Sequence, residues 1–459
     1  MEQITKPHCG ARLDRLPDCR WHSSMFAIVA FGLLVCWSNA VGGLILAQRK
    51  ALGWTDNSTT ATFSAITTAG MFLGALVGGI IGDKTGRRNA FILYEAIHIA
   101  SMVVGAFSPN MDFLIACRFV MGVGLGALLV TLFAGFTEYM PGRNRGTWSS
   151  RVSFIGNWSY PLCSLIAMGL TPLISAEWNW RVQLLIPAIL SLIATALAWR
   201  YFPESPRWLE SRGRYQEAEK VMRSIEEGVI RQTGKPLPPV VIADDGKAPQ
   251  AVPYSALLTG VLLKRVILGS CVLIAMNVVQ YTLINWLPTI FMTQGINLKD
   301  SIVLNTMSMF GAPFGIFIAM LVMDKIPRKT MGVGLLILIA VLGYIYSLQT
   351  SMLLITLIGF FLITFVYMYV CYASAVYVPE IWPTEAKLRG SGLANAVGRI
   401  SGIAAPYAVA VLLSSYGVTG VFILLGAVSI IVAIAIATIG IETKGVSVES
   451  LSIDAVVNK

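Results

Sequence analysis

The sequence predicts an all-α membrane protein, with twelve transmembrane helices in two pseudo-symmetric six-helix bundles. Of its 459 residues, 56% are hydrophobic and 13% are charged, and the mean hydropathy is +0.71. The apolar residues form runs of about 20, the length that a helix needs to cross a hydrocarbon layer of about 30 Å. The runs are continuous rather than alternating, so helices are favoured over barrel strands.

A repeat divides the chain into two halves. Segment 82–88 reads GDKTGRR and segment 323–329 reads MDKIPRK, so an Asp leads a basic cluster twice, 241 residues apart. The pattern of Glu138 followed by Arg145 recurs at nearly the same offset as Glu380 followed by Arg389. Two motif pairs at one spacing indicate a duplicated architecture.

The apolar runs define twelve spans, numbered here 1 to 12 in chain order. They cover residues 24–47, 62–82, 90–107, 112–134, 148–171, 182–202, 266–288, 302–323, 331–348, 353–378, 390–415 and 419–440. We expect residues 1–203 to form the first bundle, 204–262 a cytoplasmic loop with amphipathic helices, 263–441 the second bundle and 442–459 a cytoplasmic tail.

The basic residues predict the orientation of the chain. Most of the 34 Lys and Arg residues fall in the N-terminal segment, in every second loop and in the tail. The positive-inside rule then places both termini in the cytoplasm. The net charge of +10 therefore reflects topology. The lipid bilayer is the expected partner, and no nucleic acid is expected.

Polar side chains within the spans predict where a hydrophilic substrate binds, because such groups are costly in contact with lipid. Span 7 has a polar stripe on one helical face, at Asn277, Gln280, Tyr281 and Asn285. The candidate substrate-binding residues are Asn39 in span 1, Arg118 in span 4, Gln280, Tyr281 and Asn285 in span 7, and Asn395 and Arg399 in span 11.

Glu95 and His98 in span 3 share a helix face at positions i and i+3. A Glu-x-x-His motif can bind iron, but a di-iron bundle needs a second copy and further glutamates, which the sequence lacks. No metal and no cofactor are therefore expected. The pair is a candidate proton site, and the alternative is a polar contact to a neighbouring helix.

Charged residues at the inner ends of the spans are candidates for a gate. Ion pairs that form and break there could interconvert states that differ by only a few kcal/mol. The alternative is that these charges only set topology, for which Lys and Arg alone would suffice. The set comprises Asp83, Arg87, Arg88, Glu138, Arg145, Asp324, Arg328, Glu380 and Arg389.

The ordered motifs resemble the sugar-porter branch of the major facilitator superfamily over essentially the full length, and in particular its bacterial inner-membrane metabolite transporters. The matching segments are 82–88, Arg118, 138–146, PESPRWL at 203–209, 380–390 and ETKG at 442–445. The resemblance implies a multi-pass inner-membrane carrier whose two halves rock around a midplane site. It also implies proton symport as the usual energy source.

The chain departs from this pattern at several positions. Proton-coupled sugar porters carry an Asp in span 1 that partners the span 4 arginine, and here Ser38 stands in its place. Span 6 lacks the family's acidic residue, and the double glutamine of span 7 reads Gln280-Tyr281. Three readings of Arg118 stay open. Glu95 or another acid is its partner, the carrier is not proton-driven, or the substrate brings the negative charge.

The sequence therefore predicts a secondary transporter for a small polar metabolite, namely a sugar, a sugar acid or a related carboxylate, with a proton as the candidate second ligand. Arg399 can contact the substrate or form a structural ion pair. The alternatives are an uncoupled facilitator, an exporter of amphipathic compounds and a nutrient receptor that does not transport. We expect a monomer. No enzyme is expected, because no nucleophile, base and orienting group occur together.

Overall fold

The computed structural model describes residues 7–17, 19–141, 145–240, 253–323, 325–382 and 386–444, and the side chains of residues 133, 134, 137, 145, 146, 387 and 388 are outside this description. The described chain is helical, which confirms the predicted fold class. In the first half the spans are Arg20–Val35 with Gly42–Ala51, Asn57–Thr85, Arg87–Ala106, Met111–Tyr139, Arg145–Asn157 with Ser159–Leu170, and Ala176–Tyr201. In the second half they are Gly260–Thr293, Leu298–Met309 with Gly311–Val322, Arg328–Ser347, Met352–Val370 continued by Cys371–Tyr377 and Val378–Glu380, and the long helix Lys387–Ile439.

Nine helices of the described chain are long and apolar enough to cross a membrane. The last of them, Arg389–Ile439, contains spans 11 and 12, because its backbone turns at Gly417 with a φ of 64°. Only glycine adopts this left-handed conformation without strain. Spans 1 and 5, each divided into two shorter helices, complete the twelve.

The interruptions of spans 1 and 5 have different causes. In span 5 the helix ends at Asn157, and Pro161 lies in the first turn of the next helix. The first turn of a helix tolerates proline. Within a continuous helix, proline would lack the amide hydrogen for a hydrogen bond and would clash with the carbonyl of the preceding turn, so the span is interrupted here. In span 1 the residues from Cys36 to Val41 separate the two helices, and none of them is a proline.

Close glycine packing repeats between the two halves. A side chain on Gly70 or Gly74 of span 2 would collide with the backbone of Phe119 or Val123 in span 4. Gly311 and Gly315 of span 8 meet the backbone of Phe360 and Thr364 in span 10 in the same way. Each residue of the second set lies 241 positions after its counterpart. The duplication seen in the charged motifs therefore extends to helix packing, where small residues allow close approach.

Contacts divide the chain into two compact units that cut across the spans. The first comprises residues Met1–Asn39, Gly70–Ser159 and Leu184–Gly246, and the second Ala40–Ala69, Tyr160–Gln183 and Lys247–Lys459. The chain passes from the first unit to the second within the interruption of span 1 and directly after that of span 5.

In the first unit, a short N-terminal helix, Cys9–Asp14, packs on the loop helices Pro206–Ser211 and Tyr215–Thr233. Arg12 donates to both oxygens of Glu226, at 3.0 and 2.7 Å, and also binds Glu219. Burial alone would raise the pKa of Glu226, but its hydrogen bonds with Arg12 and Arg15 lower it below the ordinary value. The contact is thus both apolar and ionic.

In the second unit, the outer half of span 1 packs on span 7. Gly43 lies so close to the carbonyl of Ile284 that a Cβ would be 2.5 Å from its oxygen. Asn57 at the start of span 2 donates to Ser414 at 2.9 Å, and Asn305 of span 8 donates to Ser164 of span 5 at 3.0 Å. These contacts join helices of the two sequence halves within one unit.

Candidate functional site

Arg87 is the centre of the first inner charge network, within the first unit. Its guanidinium contacts Glu138 Oε1 at 2.9 Å and Asp83 Oδ1 at 2.7 Å. The carboxylate of Glu204 accepts from the backbone amides of Arg87 at 2.7 Å and Arg88 at 3.3 Å. Glu204 therefore caps the N-terminus of span 3, where a negative charge is favourable.

The position before Arg87 requires glycine for two reasons. Gly86 has a φ of 98°, and a Cβ there would collide with the carboxylate of Glu204. The equivalent position in the second half is Pro327, with a φ of −56°. The two turns thus have different backbone conformations, although both precede a capped helix.

Arg328 is the centre of the second charge network, within the second unit. It contacts Glu380 at 3.0 and 3.1 Å, and its amide donates to Glu442 at 2.8 Å. Glu442 also accepts from the amide of Lys329 at 3.1 Å. Burial alone would raise the pKa of Glu442, but these backbone hydrogen bonds lower it below its ordinary value. The described contacts of Arg87 and of Arg328 each lie within one half of the sequence.

The remaining charged candidates are only partly described. Asp324 and the side chain of Arg145 lie outside the described part of the chain. Arg389 is placed over the ring of Tyr254, 5.2 Å from its centroid. Glu204 and Glu442 were not among the predicted gate residues, although both belong to motifs that carried the family resemblance.

A buried polar cluster links spans 1, 3 and 4 in the first unit. Nε2 of His98 lies 2.7 Å from the hydroxyl of Ser38, and Nδ1 lies 3.5 Å from Oε2 of Glu95. Arg118 donates to the carbonyl of Ser38 at 2.6 Å. Glu95 and His98 are 0% exposed, and Arg118 and Ser38 are 1% exposed. The described contacts thus connect Glu95 to Arg118 through His98 and Ser38.

The interruption of span 1 makes this cluster possible. Ser38 lies between the two helices of the span, so its carbonyl is not committed to the hydrogen bonding of a helix and can accept from Arg118. Gly124 of span 4 packs so closely against span 3 that a Cβ there would be 3.0 Å from the amide nitrogen of His98. The next residue, Asn39, is half-buried.

A second cluster lies in the second unit around span 7. Tyr160 of span 5 and Tyr367 of span 10 form an edge-to-face pair with centroids 5.4 Å apart. The buried hydroxyl of Tyr367 interacts with the side chains of Tyr160 and Gln280, although neither contact has good hydrogen-bond geometry. Tyr281 packs against Gly402 of span 11. The structure therefore brings Gln280 and Tyr281 together with Tyr160 and Tyr367, which were not among the candidate substrate-binding residues.

The span 11 candidates differ in their surroundings. Arg399 is half-buried, and its buried Nη1 has no hydrogen-bond partner among the described residues. It lies between Gly398 and Gly402, which pack against span 7. Asn395 is exposed and donates to the carbonyl of Ser391 in its own helix. Asn285 is buried, and its backbone lies against Gly43.

Arg49 was also missed by the sequence prediction. Its guanidinium lies between the rings of Trp54 and Trp180, 3.4 and 3.7 Å from their centroids, in what we call the Arg49 cage. Arg49 is 0% exposed, and its three guanidinium nitrogens make no hydrogen bond within the described chain. A basic residue at the end of an apolar run gives no sign of such burial.

Comparison with known proteins decides the family. The sequence model described as Major Facilitator Superfamily matches residues 25–406, well over half of the chain. The chain belongs to the major facilitator superfamily. The inner membrane metabolite transport protein YdjE of Escherichia coli is 44% identical over 455 residues, covering 98% of this chain and 99% of that protein. The niacin transporter NiaP of Acinetobacter baylyi is 26% identical, covering 96% and 99%.

Solved structures agree with this membership at the level of fold. The inward-open xylose transporter XylE of Escherichia coli superposes with a TM-score of 0.74 at 17% identity, covering 94% of this chain and 99% of that one. A partially occluded form of XylE gives 0.73 at 18% identity, with 93% and 100% covered. As a member of the superfamily, the chain is a multi-pass metabolite transporter of the inner membrane and not an enzyme.

Proposed function

We propose that this transporter is a secondary active carrier that moves a small polar metabolite bearing a carboxylate, such as a sugar acid, by alternating access and in symport with protons. Arg399 carries the proposal. Its half-buried guanidinium has an unpartnered Nη1 on the stretch of span 11 that packs against span 7. A guanidinium binds a carboxylate through two parallel hydrogen bonds, so a substrate anion would satisfy it.

The side chains around Gln280 supply the polar and aromatic part of the proposed site. Gln280 offers two donors and an acceptor, and the hydroxyls of Tyr281 and Tyr367 can donate or accept. Tyrosine rings also present an apolar face to a sugar or an aromatic ring. An orientation of the substrate between amide and aromatic groups, with its carboxylate at Arg399, agrees with the usual composition of small-molecule sites.

The relatives are consistent with this substrate class without fixing a compound. NiaP is named for niacin, which is a carboxylate. An arabinose-proton symporter of Bacillus subtilis, named for a neutral sugar, is also 26% identical, over 95% of this chain. The residue at position 399 is the feature by which we choose between a charged and a neutral substrate.

A counterflow experiment tests the choice. Proteoliposomes loaded with unlabelled gluconate, galacturonate, nicotinate, arabinose, xylose or myo-inositol would be assayed for exchange with the labelled form of each compound. We expect exchange of a carboxylate in the wild type and its loss, by about a hundredfold, in Arg399→Ala, because removal of a charged hydrogen bond costs about 1.5–3 kcal/mol. Arg399→Lys keeps the charge but not the fork, and should be intermediate.

Two counterflow results would contradict the proposal. Exchange of neutral sugars only, or equal loss of neutral and acidic substrates in Arg399→Ala, would contradict a carboxylate at Arg399. Arg200→Ala removes an exposed arginine at the inner end of span 6 and serves as the matched control, with exchange expected to stay at the wild-type level.

A further inference from the structure

Glu95 is an acid that packing does not explain. It is fully buried in the first unit, and neither of its carboxylate oxygens accepts a hydrogen bond from any residue that the structure describes. Nδ1 of His98 lies 3.5 Å from Oε2 of Glu95, without hydrogen-bond geometry. A purely structural acid in this place would be expected to use its oxygens, because a buried unpaired carboxylate is strongly unfavourable.

We propose that Glu95 and His98 form the proton-binding site of this carrier, with Ser38 linking that site to the interruption of span 1. The inference rests on the proposed function, since a proton site drives accumulation only in a transporter. It assigns the coupling role to span 3 and places no carboxylate in span 1, where Ser38 is neutral.

The proton transfer follows from the two nitrogens of His98. A proton that arrives at Nε2, the nitrogen facing the hydroxyl of Ser38, converts the neutral ring to a cation. The ring then releases the Nδ1 proton to Oε2 of Glu95 and is again neutral. One proton has been taken up, the carboxylate has become a carboxylic acid, and the neutral ring has changed tautomer, because its hydrogen is now on Nε2 instead of Nδ1. The reverse sequence releases the proton.

The charges around the pair favour uptake together with an anion. Span 4 contributes Arg118 and span 1 contributes Cys36, which interacts electrostatically with Glu95. The packed stretches 70–82 of span 2 and 184–199 of span 6 carry no ionisable side chain. With Glu95 ionised and His98 neutral, Arg118 and Glu95 balance. Protonation leaves one net positive charge, which a carboxylate substrate would neutralise.

The site is also placed to influence conformation. Ser38 lies in the interruption of span 1, one residue before the point at which the chain passes from the first unit to the second. Its hydroxyl contacts His98 and its carbonyl accepts from Arg118. A change of charge on His98 or Glu95 therefore acts on the segment that joins the two units through span 1. A carrier needs a segment of this kind, on which ligand binding shifts the equilibrium between two conformations.

Infrared difference spectroscopy tests the proton site without any substrate. Full-length protein in liposomes would be titrated with pH, and the C=O stretch of protonated buried carboxyl groups followed. We expect a band that grows as the pH falls and is absent from Glu95→Gln, and whose midpoint moves by about one pH unit, a tenfold change in proton affinity, in His98→Gln. Glu177→Gln removes an exposed acid and should leave the band unchanged.

Transport assays separate coupling from binding. With nicotinate and galacturonate as probes, Glu95→Gln should keep counterflow close to wild type and lose accumulation driven by a pH gradient, by about tenfold or more. Ser38→Asp, added to Glu95→Gln, puts a carboxylate within reach of His98 and Arg118. Partial recovery of accumulation is expected in this double variant. If Glu95→Gln is unstable, Ser38→Ala provides a second variant in which accumulation and counterflow can be compared.

The possible failures are distinguishable. Absence of counterflow in the wild type with every probe would contradict the proposed function, while the infrared titration would still decide the proton site. A titrating band that persists in Glu95→Gln would overturn the assignment of Glu95. Wild-type accumulation in Glu95→Gln and in His98→Gln would overturn the coupling role.

Discussion

The hydroxyl of Ser38 lies 2.7 Å from Nε2 of His98, and this contact joins the interruption of span 1 to the histidine that lies against Glu95. The contact is made by a side chain that is neutral at every physiological pH. Ser38 can therefore position His98 and pass a proton, but it cannot hold the proton itself.

The first prediction concerns the hydroxyl of Ser38. Ser38→Ala removes the partner of His98 Nε2, so the ring is less well positioned and accumulation driven by a pH gradient should fall about tenfold, while counterflow stays close to wild type. Ser38→Thr keeps the hydroxyl and serves as the control. Equal accumulation in the two variants would contradict a role for this hydrogen bond. Initial rates in proteoliposomes provide the measurement.

The second prediction concerns the charge that transport moves. If one proton enters with one monocarboxylate, the cycle carries no net charge. Accumulation should then respond to a pH gradient and not to a potassium diffusion potential set with valinomycin. A response to the potential as well as to the pH gradient would mean that the cycle moves net positive charge, as when a neutral substrate travels with the proton, and would contradict the carboxylate assignment.

The third prediction concerns the two acidic caps. Glu204→Ala and Glu442→Ala each remove a carboxylate from backbone amides at the start of a span, and each should destabilise the protein by about 1–3 kcal/mol. Their effects should add, because the two caps share no partners. Thermal unfolding followed by circular dichroism would show this as a lower midpoint. Glu217→Ala, at an exposed acid, is the control and should leave the midpoint unchanged.

The fourth prediction concerns the docking of the N-terminal helix. Burial raises the pKa of the Cys9 thiol to about 12, so a variant with Cys9 as its only cysteine should react slowly with maleimide at pH 8. Glu226→Gln removes an ionic partner of Arg12 and Arg15 and should speed the labelling about tenfold. Glu227→Gln, at the exposed neighbour, should not.

The pH dependence of this docking follows from the lowered pKa of Glu226. A carboxylate whose pKa is lowered in the folded state stabilises the contact at any pH above its pKa in the unfolded chain, which is about 4.3. That stabilisation is lost as the pH falls through the pKa of the folded state. Docking measured with a label that does not depend on thiol ionisation should therefore be constant from pH 5 to 8. Release of the helix between pH 6 and 8 would contradict the ionic contact.

The fifth prediction concerns the Arg49 cage. Arg49→Lys keeps the charge but loses the planar group that lies between two indole rings, and should cost about 2 kcal/mol. The loss would appear as a lower unfolding midpoint in detergent. Arg200→Lys changes an exposed arginine 5.7 Å from the ring of Tyr201 and should have no measurable effect. Equal midpoints for the two variants would show that the stacking contributes little.

The spans and the duplication were predictable because hydrophobic length and motif spacing are properties of the sequence alone. Spans 1 and 5 were both predicted as continuous. Span 5 has a local signal for its interruption in Pro161, whereas residues 36–41 of span 1 contain no proline. The contact between Ser38 and His98 spans 60 positions, and no local rule predicts it. Glu95 was a candidate because an ionisable residue in a span is rare. Arg49 was not, because it lies beyond the predicted end of span 1 at residue 47, where burial is not expected.

The interruptions of spans 1 and 5 have no counterpart in their repeats. Span 7 is helical throughout Gly260–Thr293, and the helix that begins at Lys387 keeps helical backbone angles through span 11 as far as Gly417. In these two pairs of repeats, the interruption is therefore confined to the first half of the sequence. A ligand that immobilised residues 36–41 would be expected to arrest the cycle as a non-competitive inhibitor, without entering the substrate site.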